Sequence, residues 1–283
     1  MAERFYQLGG IRFRVQLPEE YPLPEQGRLT GFAAEPGEWD RECILTPVEE
    51  LAPPEGELCF QAPDTRVYCY GDVHLRYRGA VEQSLAGAYL RIRRQGNRSD
   101  VQFKRSAVPK GLTSGLVISC LESTHQINAA GGFILHASWI RYRDRGILFT
   151  GPSGIGKSTQ AALWERLRRA ELINGDRASV FPTGEGVDLR GIPFCGSSGV
   201  TKNVTMPLAA VVYLTQAPET TITRLRGARA FQRIWEGCSV NVWNQQDMES
   251  CTQSVMDVVA AVPVFHLACT PDESAVLALE GVL

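Results

Sequence analysis

The sequence predicts an α/β protein: a mixed sheet with flanking helices in the carboxyl-terminal part, preceded by a β-rich amino-terminal domain. Three observations carry this expectation. Short strand-like runs punctuated by proline and glycine fill the first part of the chain, strand and helix patterns alternate beyond about residue 110, and one apolar strand runs into a glycine-rich loop followed by a helical stretch. The expected domains are 1–110 and 111–283.

In the first domain, Ile11-Arg12-Phe13-Arg14-Val15 and Leu90-Arg91-Ile92-Arg93 alternate with period two, the signature of a strand with one face buried. Tyr21-Pro22-Leu23-Pro24 and Ala52-Pro53-Pro54 cannot continue a hydrogen-bonded ladder and mark loops. Nothing there carries recognisable chemistry, and His74 reads as a structural histidine. In the second domain, Leu112 to Gln126 reads as helical. Two apolar strands follow, Gly132 to Ala137 and Gly146 to Thr150, joined by a turn over Arg141 to Gly146. Further on, Leu208 to Leu214 and Val264 to Leu267 read as strands, and Arg229 to Trp235 and Asp247 to Ala261 as helices. Thr270-Pro271-Asp272-Glu273 reads as a capping box opening a final helix through Leu279. Trp235, Trp243 and His266 are expected in the core.

A chain of 283 residues with 44% hydrophobic content can bury a sizeable core, and a formal charge of −2 lacks the basic excess of a nucleic-acid binder. No apolar run approaches the ~20 residues that span a bilayer, and Met1-Ala2-Glu3-Arg4-Phe5 lacks the basic-then-apolar pattern of a secretory signal. The expectation is a soluble, cytoplasmic protein with neither nucleic-acid nor membrane partners. Its eight cysteines are scattered without CxxC spacing, so reduced and mostly buried thiols are expected rather than a zinc site.

The informative segment is Gly151-Pro152-Ser153-Gly154-Ile155-Gly156-Lys157-Ser158-Thr159, which satisfies GxxxxGK[ST] between a strand and the helical stretch Gln160 to Arg169. Such chemistry needs these residue types. Glycines let consecutive backbone N–H groups curl around phosphate oxygens, and the following helix turns the positive end of its dipole to the same place. Lys157 can reach the β and γ phosphates, the Ser158 hydroxyl can ligate Mg²⁺, and Thr159 supports the helix start. Glu171-Leu172-Ile173-Asn174-Gly175-Asp176-Arg177 ends an apolar run in an acid. Asp176 is therefore the candidate metal carboxylate, although Asn-Gly-Asp is equally good turn chemistry.

These residues resemble the carboxyl-terminal domain of HPr kinase/phosphorylase, a protein-serine kinase related in fold to phosphoenolpyruvate carboxykinase. The resemblance covers about residues 112 to 205: a histidine on the strand before the loop strand (His136), the loop itself, and an acidic segment after the helix (Asn174-Gly175-Asp176). It implies a P-loop kinase-like mixed sheet, ATP and Mg²⁺ as ligands, and a histidine assisting an aspartate that acts as base toward a seryl hydroxyl. His136, Lys157, Ser158 and Asp176 have counterparts, but Gly175 stands where the family has its first aspartate. Either Asp176 then serves both purposes, or Asp188 or His136 supplies the base, or the activity is altered or lost. Asp188-Leu189-Arg190-Gly191 looks like the family's Glu-Ile-Arg-Gly segment, whose acid belongs to the metal site, and equally like a plain hairpin strand.

The small polar segment Ile192 to Asn203 lies where the family binds its substrate and is expected to be a mobile loop; Lys202 in it is either a phosphate contact or a solvated charge. The expected activity is transfer of the γ-phosphoryl group of ATP to a hydroxyl acceptor: serine, free or in a peptide or protein. A nucleotide-binding module without chemistry and a P-loop ATPase are the alternatives. The resemblance also implies a homo-oligomer, for which no residue of the chain itself argues.

Overall fold

The computed structural model describes residues 1–23, 27–108 and 111–283, and the chain divides into two units, Met1–Ser123 and Thr124–Leu283. Pro24, one of the expected ladder breakers, and residue 110, the expected domain boundary, lie outside the described residues. In the first unit the period-two runs become strands: β1 (Ala2–Leu8), β2 (Ile11–Leu17), β3 (Arg41–Val48), β4 (Glu57–Ala62), β5 (Thr65–Tyr70), β6 (Val73–Ala80), β7 (Gly87–Gln95) and β8 (Arg98–Lys104). They form one sheet in the order β1-β2-β3-β8-β7-β6-β5-β4, with β3 parallel to both neighbours and the other pairs antiparallel. Along β2 the alternation holds as read: Ile11, Phe13, Val15 and Leu17 are buried and the residues between them half-buried. One helix closes the unit, α1 (Ser114–Cys120), its first turn capped by the Thr113 hydroxyl accepting from the Leu116 N–H.

Cys59 and Cys69 are joined as a disulfide across β4 and β5, which corrects the expectation of eight thiols; their Cα atoms are 6.2 Å apart. Cys59 is the bulged residue between Leu58 and Phe60 and has no register partner, while Cys69 lies across from Glu57, so the disulfide joins positions that neither spacing nor ladder register announced. The helical pattern over Leu112 to Gln126 is broken at Glu122, whose φ of 48° is left-handed.

The second unit comprises α2 (Ser123–Ala129), β9 (Phe133–Tyr142), β10 (Arg145–Thr150), α3 (Lys157–Arg168), β11 (Glu171–Asn174), β12 (Arg177–Thr183), β13 (Gly186–Arg190), β14 (Thr205–Gln216), β15 (Thr221–Leu225), α4 (Gly227–Trp235), β16 (Cys238–Ser239), α5 (Gln245–Ala261), β17 (Val264–Cys269) and α6 (Glu273–Glu280). Its mixed sheet runs β10-β9-β12-β13-β14-β17-β15, with β10 also pairing in parallel with β14 and with β11 and β16 on β9. Two long strands serve two neighbourhoods each. The first residues of β9 pair with β12 and β16 and its later residues with β10 and β11. The start of β14 pairs with β13 and the rest with β10 and β17.

Alternation along β10 sorts its side chains onto two faces. Ile147 and Phe149 pack with Ala161, Leu163 and Trp164 of α3 and Ala275, Val276 and Leu279 of α6. Leu148 packs with Ala230 and Ile234 of α4 and Cys251, Val255 and Val258 of α5. Helices thus cover both faces of the sheet, the mixed α/β architecture expected, and a strand buried on both sides needs the unbroken apolar run that β10 has.

Local corrections have local causes. The β9–β10 turn is only Arg143 and Asp144, both with positive φ (49° and 59°), a tight hairpin without the glycine that usually marks one. The final helix is capped by Asp272, whose carboxylate accepts from the Ser274 N–H, not by Thr270. Lys202 is ion-paired with Glu171. No helix among the described residues is long and apolar enough to cross a membrane.

Candidate functional site

The Gly151–Thr159 loop leaves the carboxyl end of β10, between the ends of its neighbours, and feeds α3. Three of its glycines are left-handed, Gly151 (φ 140°), Gly154 (77°) and Gly156 (113°), conformations that L side chains rarely adopt. At Gly151 a Cβ would also sit 3.2 Å from both the Ile155 side chain and the Leu214 carbonyl, so a side chain there would add crowding to the backbone strain. Gly156 is the N-cap of α3 and supplies no side-chain cap, so the first N–H groups of that helix look outward at the loop. Lys157 folds back, donating to the Gly151 and Pro152 carbonyls at 3.0 Å each, and is buried; burial pulls its ammonium below the ordinary lysine range against the opposing pull of Asp176. Ser158 and Thr159 are exposed at the helix start. Backbone donors, a helix N-terminus and one ammonium together suit an oxyanion.

His136 and Asp176 stand beside this loop because β9 joins their neighbours. Thr150, the last residue of β10, donates its hydroxyl to the His136 carbonyl at 2.9 Å, while Ala137 donates its N–H to the Asp176 carbonyl at 2.9 Å. His136 Nε2 lies 3.5 Å from Asp176 Oδ1, and Asp176 Oδ2 accepts from Arg177 Nε at 3.2 Å. Burial first, then the charge of Lys157, holds the His136 imidazole below the ordinary histidine range; Asp176 pulls the other way and Arg177 adds to the lowering. His136 thus faces a carboxylate while burial and the Lys157 charge favour its neutral form.

The turn before Asp176 is built by Asn174, which is buried. Its Oδ1 accepts from the Asp176 and Arg177 N–H groups at 2.9 and 3.0 Å, and its Nδ2 donates to the Ile192 carbonyl (3.2 Å), the Phe194 carbonyl (2.7 Å) and the Thr201 hydroxyl (3.1 Å). The Ile192 to Thr201 segment, expected as a mobile loop, is thus tied to the turn. It also explains Gly175: a Cβ there would fall 2.5 Å from the Ser198 Cβ and 2.3 Å from its hydroxyl. Ser198, donating to the Cys195 carbonyl at 2.7 Å, fills the space a side chain at Gly175 would need.

Of the candidate residues, the fold brings Gly151, Ser153, Gly154, Ile155, Gly156, Lys157, Ser158 and Thr159 together as one loop and helix start, with His136 and Asp176 beside it. It does not bring Asp188 there. Asp188 pairs with Pro207 at the start of β14, whereas Tyr213, further along β14, lies level with Thr150 at the loop entry. Six residues of strand separate those levels, about 20 Å at ~3.3 Å per residue. As a metal ligand with Asp176 it is misplaced, because β13 docks on the far end of β14; its neighbour is Arg190, at 3.6 Å. Among the described residues no group of three or more His, Cys, Asp or Glu side chains is arranged to hold a metal ion.

Two cavities flank the loop. One, of about 450 Å³, opens at the carboxyl ends of β14 and β17 and is lined by Gly154 to Gly156, Gln160, Thr215 and Thr270 among others. Gln160 is 3% exposed; its Nε2 contacts Cys269 Sγ at 3.3 Å, and its Oε1 has no hydrogen-bond partner. The other, of about 380 Å³, lies between His136, the Thr150–Ser153 segment, Tyr213, Arg233 and Glu236. Gln160 and Arg233, on helices, and Glu236, just after one, carried no signal in the sequence, since such polar residues are ordinarily solvated, and Tyr213 read only as part of a buried strand.

The model of one family, SynChlorMet cassette protein ScmC, matches residues 114–272, more than half of the chain. The chain belongs to the ScmC family. That match takes in the glycine-rich loop, His136, Asp176 and both cavities of the ScmC-like region. Among solved structures, the HPr(Ser) kinase/phosphatase from Coxiella burnetii is similar at 14% identity over 53% of this chain and 87% of that one, with a TM-score of 0.29. No curated protein matches the chain.

Proposed function

We propose that the second unit is a P-loop kinase-like domain that binds ATP and Mg²⁺ and transfers the γ-phosphoryl group to a hydroxyl acceptor. The observation that supports this reading is the Gly151–Thr159 loop itself: three left-handed glycines and an uncapped helix start around Lys157, at the carboxyl end of a strand, with a neutral histidine beside a carboxylate next to it. The triphosphate lies in the curl of the loop. Its base enters the 450 Å³ cavity, where an exocyclic amino group such as that of adenine donates to the unpartnered Gln160 Oε1.

Ser158 and Asp176 are the residues that would hold Mg²⁺, an ion that commonly takes one or two protein ligands and completes its shell with phosphates and water. When bound it supplies charge neutralisation of the phosphates. Lys157 leaves its two carbonyl partners for the β and γ oxygens. His136 takes the acceptor's proton, because Asp176 is engaged by Arg177 and Gly175 offers no carboxylate. The Asp176 carboxylate, 3.5 Å away, then stabilises the imidazolium that forms. The roles of the two groups are thus exchanged relative to the resembled kinases.

One observation favours a second reading, a nucleotide-binding module or ATPase: Ser198 occupies the space of the missing acid at Gly175. Incubation with Mg²⁺ and γ-labelled ATP separates the readings, with Lys157→Ala as control. Label reaching an acceptor only with the intact lysine supports the kinase; label released only as phosphate supports the ATPase. Failure to bind nucleotide at all would end both.

A further inference from the structure

The cavity on the His136 side of the loop carries a pair of opposite charges that phosphoryl transfer does not use. Arg233, on α4, donates from Nη1 to both Glu236 carboxylate oxygens at 3.1 Å and to the Tyr213 hydroxyl at 3.4 Å. Its guanidinium carbon lies 4.7 Å over the Tyr213 ring, and that tyrosine is 6% exposed, so the guanidinium plane is fixed by a buried platform. Nε and Nη2 of Arg233 have no hydrogen-bond partner among the described residues. The side chains of Arg233 and Glu236 are 41% and 40% exposed, and both line the same small cavity as His136 and the loop. At about 380 Å³ it is at the lower end of the range for small-molecule sites, ~300–1,000 Å³.

A cation and an anion side by side, with donors to spare on the cation, match a ligand that carries both charges on groups attached to one carbon. A seryl residue inside a peptide has neither charge at its α-carbon. A free hydroxy-amino acid has both, and its hydroxyl is two bonds from the α-carbon, within reach of the same cavity's base. Resting on the phosphotransfer reading above, we propose that the acceptor is a free hydroxy-amino acid bound as its zwitterion. Arg233 receives the α-carboxylate, Glu236 the α-ammonium, and the side-chain hydroxyl faces His136. The hydroxyl oxygen forms the new bond to the γ phosphorus as the bond to the β–γ bridging oxygen breaks. ADP leaves with that electron pair, and the hydroxyl proton passes to His136.

The test uses the full chain with Mg²⁺ and γ-labelled ATP. The acceptors are L-serine, N-acetyl-L-serine amide with both charges blocked, ethanolamine with the ammonium alone, and 3-hydroxypropionate with the carboxylate alone. L-serine should be labelled with a kcat/KM at least tenfold above each of the others. Arg233→Gln should erase the preference for L-serine over ethanolamine, and Glu236→Gln the preference over 3-hydroxypropionate, effects a purely structural role would not divide in this way. Equal or better labelling of the blocked serine, or variants that lower all acceptors alike, overturns the proposal. Lys157-dependent nucleotide binding with no label on any amino acid also overturns it while leaving the nucleotide site standing. Absence of nucleotide binding overturns both.

Discussion

At Gly175 one missing side chain changes what its neighbours can do. A Cβ there would meet Ser198 well inside van der Waals contact, so Gly175→Asp forces the Cys195–Gly199 turn to shift. The single substitution should destabilise by about 1–3 kcal/mol, as overpacking does, without raising phosphotransfer. Adding Ser198→Gly should recover the melting temperature, and comparison of single and double variants by thermal unfolding and labelled-ATP assay checks this. The sign of the pH dependence follows from His136. Because its folded titration lies below the ordinary histidine range, the neutral base persists to lower pH, and the acid limb of kcat/KM should fall below that range. Arg177→Gln removes a charge that contributes to the lowering, so the limb should move up; pH–rate profiles of the two proteins decide it. Lys157 and Ser158 are named by the loop motif itself, whereas His136 was expected to matter only through the family resemblance, and Asp176 read equally as a turn residue. His125 was not: it is buried with Nδ1 2.7 Å from Asp247 Oδ1, and Asp247 also accepts from Asn241 at 2.8 Å, a pairing across 122 residues that no local pattern announces.

The turn between β11 and β12 matters to the site more than either strand. Asn174 satisfies two backbone donors and holds three acceptors of the Ile192–Thr201 segment, so Asn174→Ala leaves several buried groups unpaired. A loss of about 2–4 kcal/mol is expected, with proteolytic cleavage appearing within 192–201; denaturant unfolding and limited proteolysis measure both. Asn-Gly-Asp was readable as turn chemistry, but the distant carbonyls it gathers were not. Elements with strong periodicity were read nearly in full: α3 (Lys157–Arg168), α5 (Gln245–Ala261) and β10 (Arg145–Thr150) differ from expectation by a few residues at their ends. The short strands β15 and β16 were missed. Two residues at Cys238–Ser239 offer no period, and β15 is an edge strand whose residues stay largely open.

At the scale of the second unit, the proposed nucleotide binding should be visible as stability. If MgATP binds only the folded state, at a hundred times its Kd it should stabilise by about 2.7 kcal/mol, seen as a rise in melting temperature that Lys157→Ala abolishes. Hydrogen exchange should slow at the amides of 154–160, where the loop passes into α3. The mixed α/β class was legible from alternating patterns, whereas the parallel pairing of β10 with β14, which lines up Thr150 with Tyr213, depends on contacts far apart in the chain. That arrangement also has a temporal side. On the ribosome, β9 emerges about 100 residues before its partner at Cys238–Ser239, an interval on the order of 5–20 s at usual rates of synthesis. The glycine-rich loop is therefore translated early, while the wall that bears Arg233 and Glu236 arrives late. A nascent chain stalled short of α4 would carry the whole Gly151–Thr159 loop without the Arg233–Glu236 wall beside it, so on the proposed reading it could take nucleotide before it could take an acceptor.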